Sequence, residues 1–365
     1  MTNDGMADVV VVGAGLMGRL LALSLARQGL RVQVHDAHGP EATHSAARAA
    51  AAMLAPLAES AITELPVVQM GQHGLTRWPE LLATLPAPVY FQQAGTLILW
   101  HRQDQAEAQR FDGLIRRTHA QLPELPAPEA LRGDRLAEVE PAVAGRFAQG
   151  LYLPGEGQLD NRQLLDALHL ALQQAGVPLH WHSPVEGTDA ASLRAAFPHA
   201  GQIVDCRGLG ARAAWSGLRG VRGEVVRLHA PGVRLQRPTR LIHPRYPIYI
   251  APKENGLFVI GATEIETDDL SPASVRSTLE LLSAAYSVDS GFAEARIVEI
   301  ATQARPTLPD NLPRLRPLGQ GVLQINGLYR HGYMISPAVL DAALQWLGTG
   351  DSALARQWGL LPEPA

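Results

Sequence analysis

The chain has little of what would tie a protein to a membrane, a nucleic acid or a disulfide scaffold. It holds one cysteine, Cys206, among 365 residues, which excludes an intrachain disulfide framework and a cysteine-built metal centre within one chain. Neither sign of charge dominates: 31 Lys and Arg stand against 35 Asp and Glu, a net charge of −4. That leaves no basic footprint for nucleic acid or an anionic lipid surface. Long apolar runs are missing too. The longest uncharged stretch, Leu81 to His101, is broken by Pro86, Pro88, Gln92 and Gln93 and does not read as a membrane span. No basic, apolar leader precedes the first strand. The expectation is a cytoplasmic α/β protein without nucleic-acid or membrane partners, its oligomeric state left open.

What is present centres on Asp8 to Asp36. Val9 to Val12 form a β-branched run that suits a buried parallel strand. Gly13-Ala14-Gly15-Leu16-Met17-Gly18 follows, then a helical pattern through Leu20, Leu21 and Leu25, then a strand with Val32 and Val34 that ends at Asp36. Strand, Gly-x-Gly-x-x-Gly, helix, strand and acidic residue in that order are the dinucleotide fingerprint in its required context. Gly13 permits the tight turn, Gly15 lets a pyrophosphate approach the backbone, and Gly18 lets helix and strand pack closely. The helix N-terminus would face the phosphates, and Asp36 a ribose. A ligand-free strand–helix turn is the alternative, and the completeness of the pattern argues against it.

Beyond Asp36, the run Ser45-Ala46-Ala47-Arg48-Ala49-Ala50-Ala51-Ala52-Met53 has two readings. It is either a closely packed helix, since Ala favours helices, or a small-residue bed on which something large and planar lies. Helices are expected over Gln69–Leu85, Asp104–His119 and Asn161–Ala175, with strands at Val177–Val185 and Gln202–Cys206. From Val221 the period changes to two. Ile248–Ala251 and Leu257–Ala262 flank Asn255-Gly256, a strong hairpin signal. A two-residue loop there would set Tyr249 opposite Ala262, with Glu264 diagonal to Tyr249 on the same face; a slip by one would separate them. Ser271-Pro272 should open a helix with Val275, Leu279 and Leu282 inward, and Ser336-Pro337 a last helix after the strand Val322–Asn326. The predicted architecture is α/β: a Rossmann-like nucleotide-binding domain (1–85, 141–220 and 300–365) with an inserted antiparallel-sheet α+β domain (86–140 and 221–299).

The fingerprint, Ala49–Leu54, Arg222-Gly223-Glu224, Tyr249-Ile250-Ala251-Pro252 with Val259–Thr263, Arg305-Pro306 and Arg330-His331-Gly332 occur in the order found in the D-amino-acid oxidase superfamily. The chain most resembles its glycine oxidase (ThiO-like) group, over nearly its whole length. The resemblance implies non-covalent FAD, since no cysteine lies in the C-terminal third where some relatives attach flavin; Cys206 reads as a small buried hydrophobe. Flavin contacts are implied for Gly13, Ala14, Gly15, Met17, Gly18, Asp36, Ala37, Ser45, Ala46, Ala51, Ala52, Met53 and Val185, and for the loop Leu328, Tyr329, Arg330, His331, Gly332, Tyr333 and Met334. Arg305 would pair bidentately with a substrate carboxylate, and Tyr249 would add its hydroxyl. Arg330 and the Ser336-Pro337 helix start would stabilise charge on the reduced flavin.

The implied reaction is oxidative deamination of glycine or a small D- or N-methyl amino acid by hydride transfer to flavin N5. Dioxygen then gives hydrogen peroxide, and the imine hydrolyses or feeds thiamine thiazole synthesis. Without the family, Arg305 reads as a surface loop residue and Tyr249 as core; His331 has no assigned role. One departure stands out: Glu264 occupies a position that is Met in the group's pattern. It either meets the substrate amine, favouring a cationic substrate, or turns to an arginine or to solvent at the cavity mouth. Alternatives are a dehydrogenase of the same fold, an oxidase of a larger or cationic amine, and a non-catalytic or tRNA-modifying relative. The last would not need Arg305 and Tyr249 together.

Overall fold

The computed structural model describes residues 7–243 and 247–361; the first six and last four residues of the expected nucleotide-binding segments lie outside it. Val9–Val12, fully buried, sits inside a six-stranded sheet. Its parallel neighbours are Gln202–Asp205 on one side and Val32–His35 on the other, so Val12 is flanked by Asp205 and His35. Val322–Asn326 and Leu179–His180 extend the sheet outward, and the antiparallel Arg314–Gly319 closes one edge. Burial on both faces explains the unbroken valine run. Only Leu179–His180 of the expected Val177–Val185 strand pairs.

An eight-stranded, mostly antiparallel sheet stands beside it, with Arg219–His229 hydrogen-bonded along its length to Arg296–Thr307. The sheets divide the chain differently from the expected boundaries. Arg296–Thr307 and Gln149–Leu153 both belong to the eight-stranded sheet, although 300–365 and 141–220 were assigned to the nucleotide-binding part. Arg305 therefore sits within a strand, not a loop.

Three local expectations are corrected. Tyr249 pairs with Gly261, not Ala262, because the hairpin loop runs longer than two residues: Pro252 pairs with Phe258, and Lys253 N–H donates to Leu257. The helix after Ser271 spans Val275–Val288 and is capped by Ser274; Ser271 instead bonds Asp269. Leu281, Ala284, Ala285 and Val288 face inward, while Val275 is 77% and Leu279 60% exposed. Finally, the last helix runs Gly332–Thr349 with Pro337 inside it. Pro337 cannot donate to the carbonyl of Tyr333 four residues back. That carbonyl accepts from the Trp78 indole N–H at 2.8 Å, so the proline is accommodated and the helix starts one turn earlier. Trp78 belongs to Leu65–Ala83, where Gly74 lets the Met334 backbone come close.

Candidate active site

A cavity of about 980 Å³ runs from the Gly-rich turn to the face of the eight-stranded sheet. At its nucleotide end the turn needs Gly13 and Gly18. Gly13 has φ +96°, and a Cβ on Gly18 would lie 1.8 Å from the Gly13 carbonyl oxygen. The helix Leu16–Arg27 starts at Gly15 with no side-chain cap and no acidic residue in its first turn. Its leading N–H groups are thus left to an anion. The Asp36 carboxylate ends the next strand and accepts from Ala14 N–H at 2.6 Å and His38 N–H at 2.8 Å.

The alanine run is not the closely packed helix of its first reading. Only Ala46–Ala49 makes a helical turn; Ala52 is left-handed at φ +53°, and Met53–Leu54 is a strand. Its carbonyls are tied down from behind. The Asn161 amide donates to Ala47 and Arg48 at 2.9 and 2.7 Å, and the Tyr333 hydroxyl donates to Ala47 at 3.0 Å. The buried Lys253 ammonium donates to Ala51 at 2.9 Å, and to Leu159 and Gln158. Burial pulls Lys253 down to about 7. Ala49 to Met53 thus present a flat, small-residue surface to the cavity. The uncapped turn, the paired glycines and this bed fit FAD. The helix Gly332–Thr349 points a second uncapped N-terminus at the same space.

Every residue expected to touch the flavin lines the cavity except Gly18, which packs behind the turn. Tyr249, Glu264, Arg305 and Arg330 line its other end. Cys206 borders the cavity too, half-buried, with its thiol pushed well above the ordinary range by burial; it is no reactive thiolate.

Two glycines make room for the polar side chains. A Cβ on Gly223 would lie 2.4 Å from a guanidinium nitrogen of Arg305, and one on Gly261 would lie 2.4 Å from the Tyr249 hydroxyl. Both side chains thus lie across the sheet where a neighbouring strand has no side chain. Among the described residues, Arg305 donates only to the carbonyls of Thr263 at 3.2 Å and Arg222 at 3.4 Å. Among the described residues no carboxylate ion-pairs with it. Arg330, by contrast, lies between Glu59 at 3.1 Å and Glu264 at 2.8 Å. Glu264 also accepts from the Tyr329 hydroxyl, so at the chamber's edge it has turned to an arginine.

Sequence reasoning missed Glu59 and Arg240, which pair at 2.9 Å. Burial would raise the Glu59 carboxyl, but Arg330 and Arg240 outweigh it and hold it down at about 2. His331, 3.5 Å from Glu59, is pushed down to about 4 by burial and is neutral. Neither Glu59 nor Arg240 carries a local signal: one ends a short helix after Pro56, the other alternates along an ordinary strand. Lys253, beside Asn255-Gly256, was missed as well and is buried.

A dinucleotide cleft that opens onto a chamber lined by Arg305 and Tyr249 fits a flavin-dependent oxidoreductase of the amino-acid or amine oxidase type. The pattern of the FAD dependent oxidoreductase (DAO) family matches residues 8–343, and the chain belongs to that family. It is 39% identical over 331 residues, 91% of this chain and 93% of the other, to a Rhizobium etli protein named as a thiamine biosynthesis oxidoreductase, ThiO. It is 27% identical to the glycine oxidase of Geobacillus kaustophilus, with 90% of each covered. The crystal structure of that species' glycine oxidase superposes with a TM-score of 0.83 over 98% of this chain and 99% of the other, at 24% identity. Iminodiacetate oxidase from Chelativorans sp. BNC1 gives 0.78 over 98% and 100%, at 20% identity. At those identities the superpositions speak for the fold. Among the described residues, no helix is long and apolar enough to cross a membrane.

Proposed function

We propose that the protein oxidises a small amino acid, glycine or a D- or N-methyl relative, to its imine with dioxygen as electron acceptor. The observation that carries this reading is Arg305: a cavity-lining guanidinium with carbonyl partners only, laid over Gly223 at the end of the FAD cavity. A half-buried charge without a counter-ion is costly, and a carboxylate would satisfy it with two charge-assisted hydrogen bonds. Tyr249, whose burial raises its hydroxyl above the ordinary range, stays protonated and can donate to the same carboxylate. Bound FAD supplies a two-electron acceptor. The chain's own groups hold the substrate by its carboxylate, keep bulk water out, and disfavour a protonated amine by the positive charge of Arg305. Glycine would lose two electrons and two protons to give the imine, which water converts to glyoxylate and ammonia. Dioxygen would take up those electrons and protons as hydrogen peroxide. The similarity to the Rhizobium etli ThiO supports an imine product passed on to thiazole synthesis.

The test is the visible spectrum of the anaerobic flavoprotein on adding glycine, sarcosine, D-alanine and D-proline in turn. Bleaching that air reverses with release of peroxide is the expected result. Bleaching by none of the four would overturn the proposed substrate class, and bleaching without peroxide on aeration would point to a dehydrogenase.

A further inference from the structure

Among the described residues, the charges around the chamber leave one positive charge over, and one residue sets that surplus. Three guanidiniums, Arg240, Arg305 and Arg330, stand with two carboxylates, Glu59 and Glu264. Tyr249, Tyr329 and His331 are uncharged: burial raises both phenols and lowers the imidazole. Near the mouth Arg276 and Glu280 lie 3.7 Å apart and offset one another, and behind the sheet Arg222 and Glu224 do the same. Glu59 is committed at depth, shared between Arg240 and Arg330. Glu264 is different. Its side chain is 45% exposed, it covers the outer side of Arg330, and Tyr329 holds it there from a left-handed backbone, φ +51°. Strained backbone of this kind persists where the surroundings enforce it, often beside a ligand site.

We propose that Glu264 determines substrate specificity by limiting the site to substrates with a single carboxylate. With Glu264 in place, one carboxylate on Arg305 brings the chamber to neutrality. A second carboxylate would meet an arginine already paired on both sides and would leave a net negative charge in a partly dehydrated space. Removal of the Glu264 charge frees the outer face of Arg330 and raises the surplus to two positive charges, the complement of a dicarboxylate. The excluded class is therefore the N-carboxymethyl and acidic amino acids, amines bearing two carboxylates. This inference rests on Arg305 as the carboxylate anchor.

Non-oxidisable probes separate the two ideas. Acetate and malonate are titrated at fixed ionic strength into the FAD-loaded wild type, Glu264→Gln and Glu264→Asp, with the flavin absorbance change as readout. The wild type should bind acetate at least about tenfold more tightly than malonate, and Glu264→Gln should improve malonate relative to acetate by about tenfold or more, as expected for one partly screened charge. Glu264→Asp keeps the charge and should keep the preference for acetate. The same trend is expected in kcat/KM for iminodiacetate over sarcosine. If acetate binds but Glu264→Gln leaves the ratio unchanged, or Glu264→Asp alters it as much, the inference fails alone. If neither anion binds any of the three proteins, the Arg305 reading fails and takes this one with it.

Discussion

The two ends of the cavity are built on opposite principles. The nucleotide end is backbone: one continuous segment, Asp8 to Asp36, supplies strand, turn, helix start and acidic residue, and its shape depends on side chains that are absent. The substrate end is made of side chains from distant places. Arg305 comes from one edge strand, Tyr249 from a hairpin, Glu59 from the short helix Pro56–Glu59, and Arg330 from the turn before the last helix. Yet glycine works at both ends, and for different reasons. At Gly18 an added carbon would meet the Gly13 main-chain oxygen. At Gly223 it would meet only the far end of a long, movable side chain. A backbone-built site should fail as a whole, and a side-chain-built site by degrees.

Substitutions can break or sharpen that contrast. The largest effect belongs to Gly18→Ala: the 1.8 Å contact cannot be relieved without pulling helix from strand. Purified protein should lack flavin absorbance and melt well below the wild type. Next comes Arg305→Met, which would leave the proposed substrate's carboxylate without its partner. It should cost about 100- to 1,000-fold in kcat/KM while flavin content and Tm hold. The smallest is Gly223→Ala. Its φ is not left-handed, so the strand accepts Ala, but the guanidinium must shift. KM should rise by about tenfold, kcat should change less, and Tm should stay within about 2 °C. A Gly223→Ala protein that unfolds or loses flavin would erase the distinction between the two ends.

The same contrast explains what could be read from the sequence. Gly18 packs on Gly13, Asp36 bonds Ala14 and the valine run pairs on one side with Val32–His35, all within one short segment, so their pattern was sufficient to place them. Tyr249 lay one position out of register because the turn beside Asn255-Gly256 takes in more than two residues, and alternation cannot count loop residues. Val275 and Leu279 carry helical spacing but sit on the solvent side, since Ser274 rather than Ser271 caps that helix and the inward stripe begins at Leu281. Ser336-Pro337 resembles a helix start. What moves the start back one turn is remote in sequence: the Trp78 indole N–H, 255 positions before Tyr333, donates to the Tyr333 carbonyl. Glu59 and Arg240 meet only in three dimensions, and the resemblance to a family named neither.

The polar anchors under the alanine bed have a consequence for motion. Asn161 and Tyr333 grip it from helices that pack on the six-stranded sheet, and Lys253 grips it from the hairpin of the eight-stranded sheet. The bed is thus sewn to both halves of the molecule. Swinging the two sheets apart would tear buried hydrogen bonds out of a dry interior, so a clamshell opening is a costly route for a substrate. Traffic should pass instead through the rim, where Tyr329, Glu264 and the 264–274 segment are partly exposed. Bonds from both halves should therefore resist their separation, and access is expected at the lip.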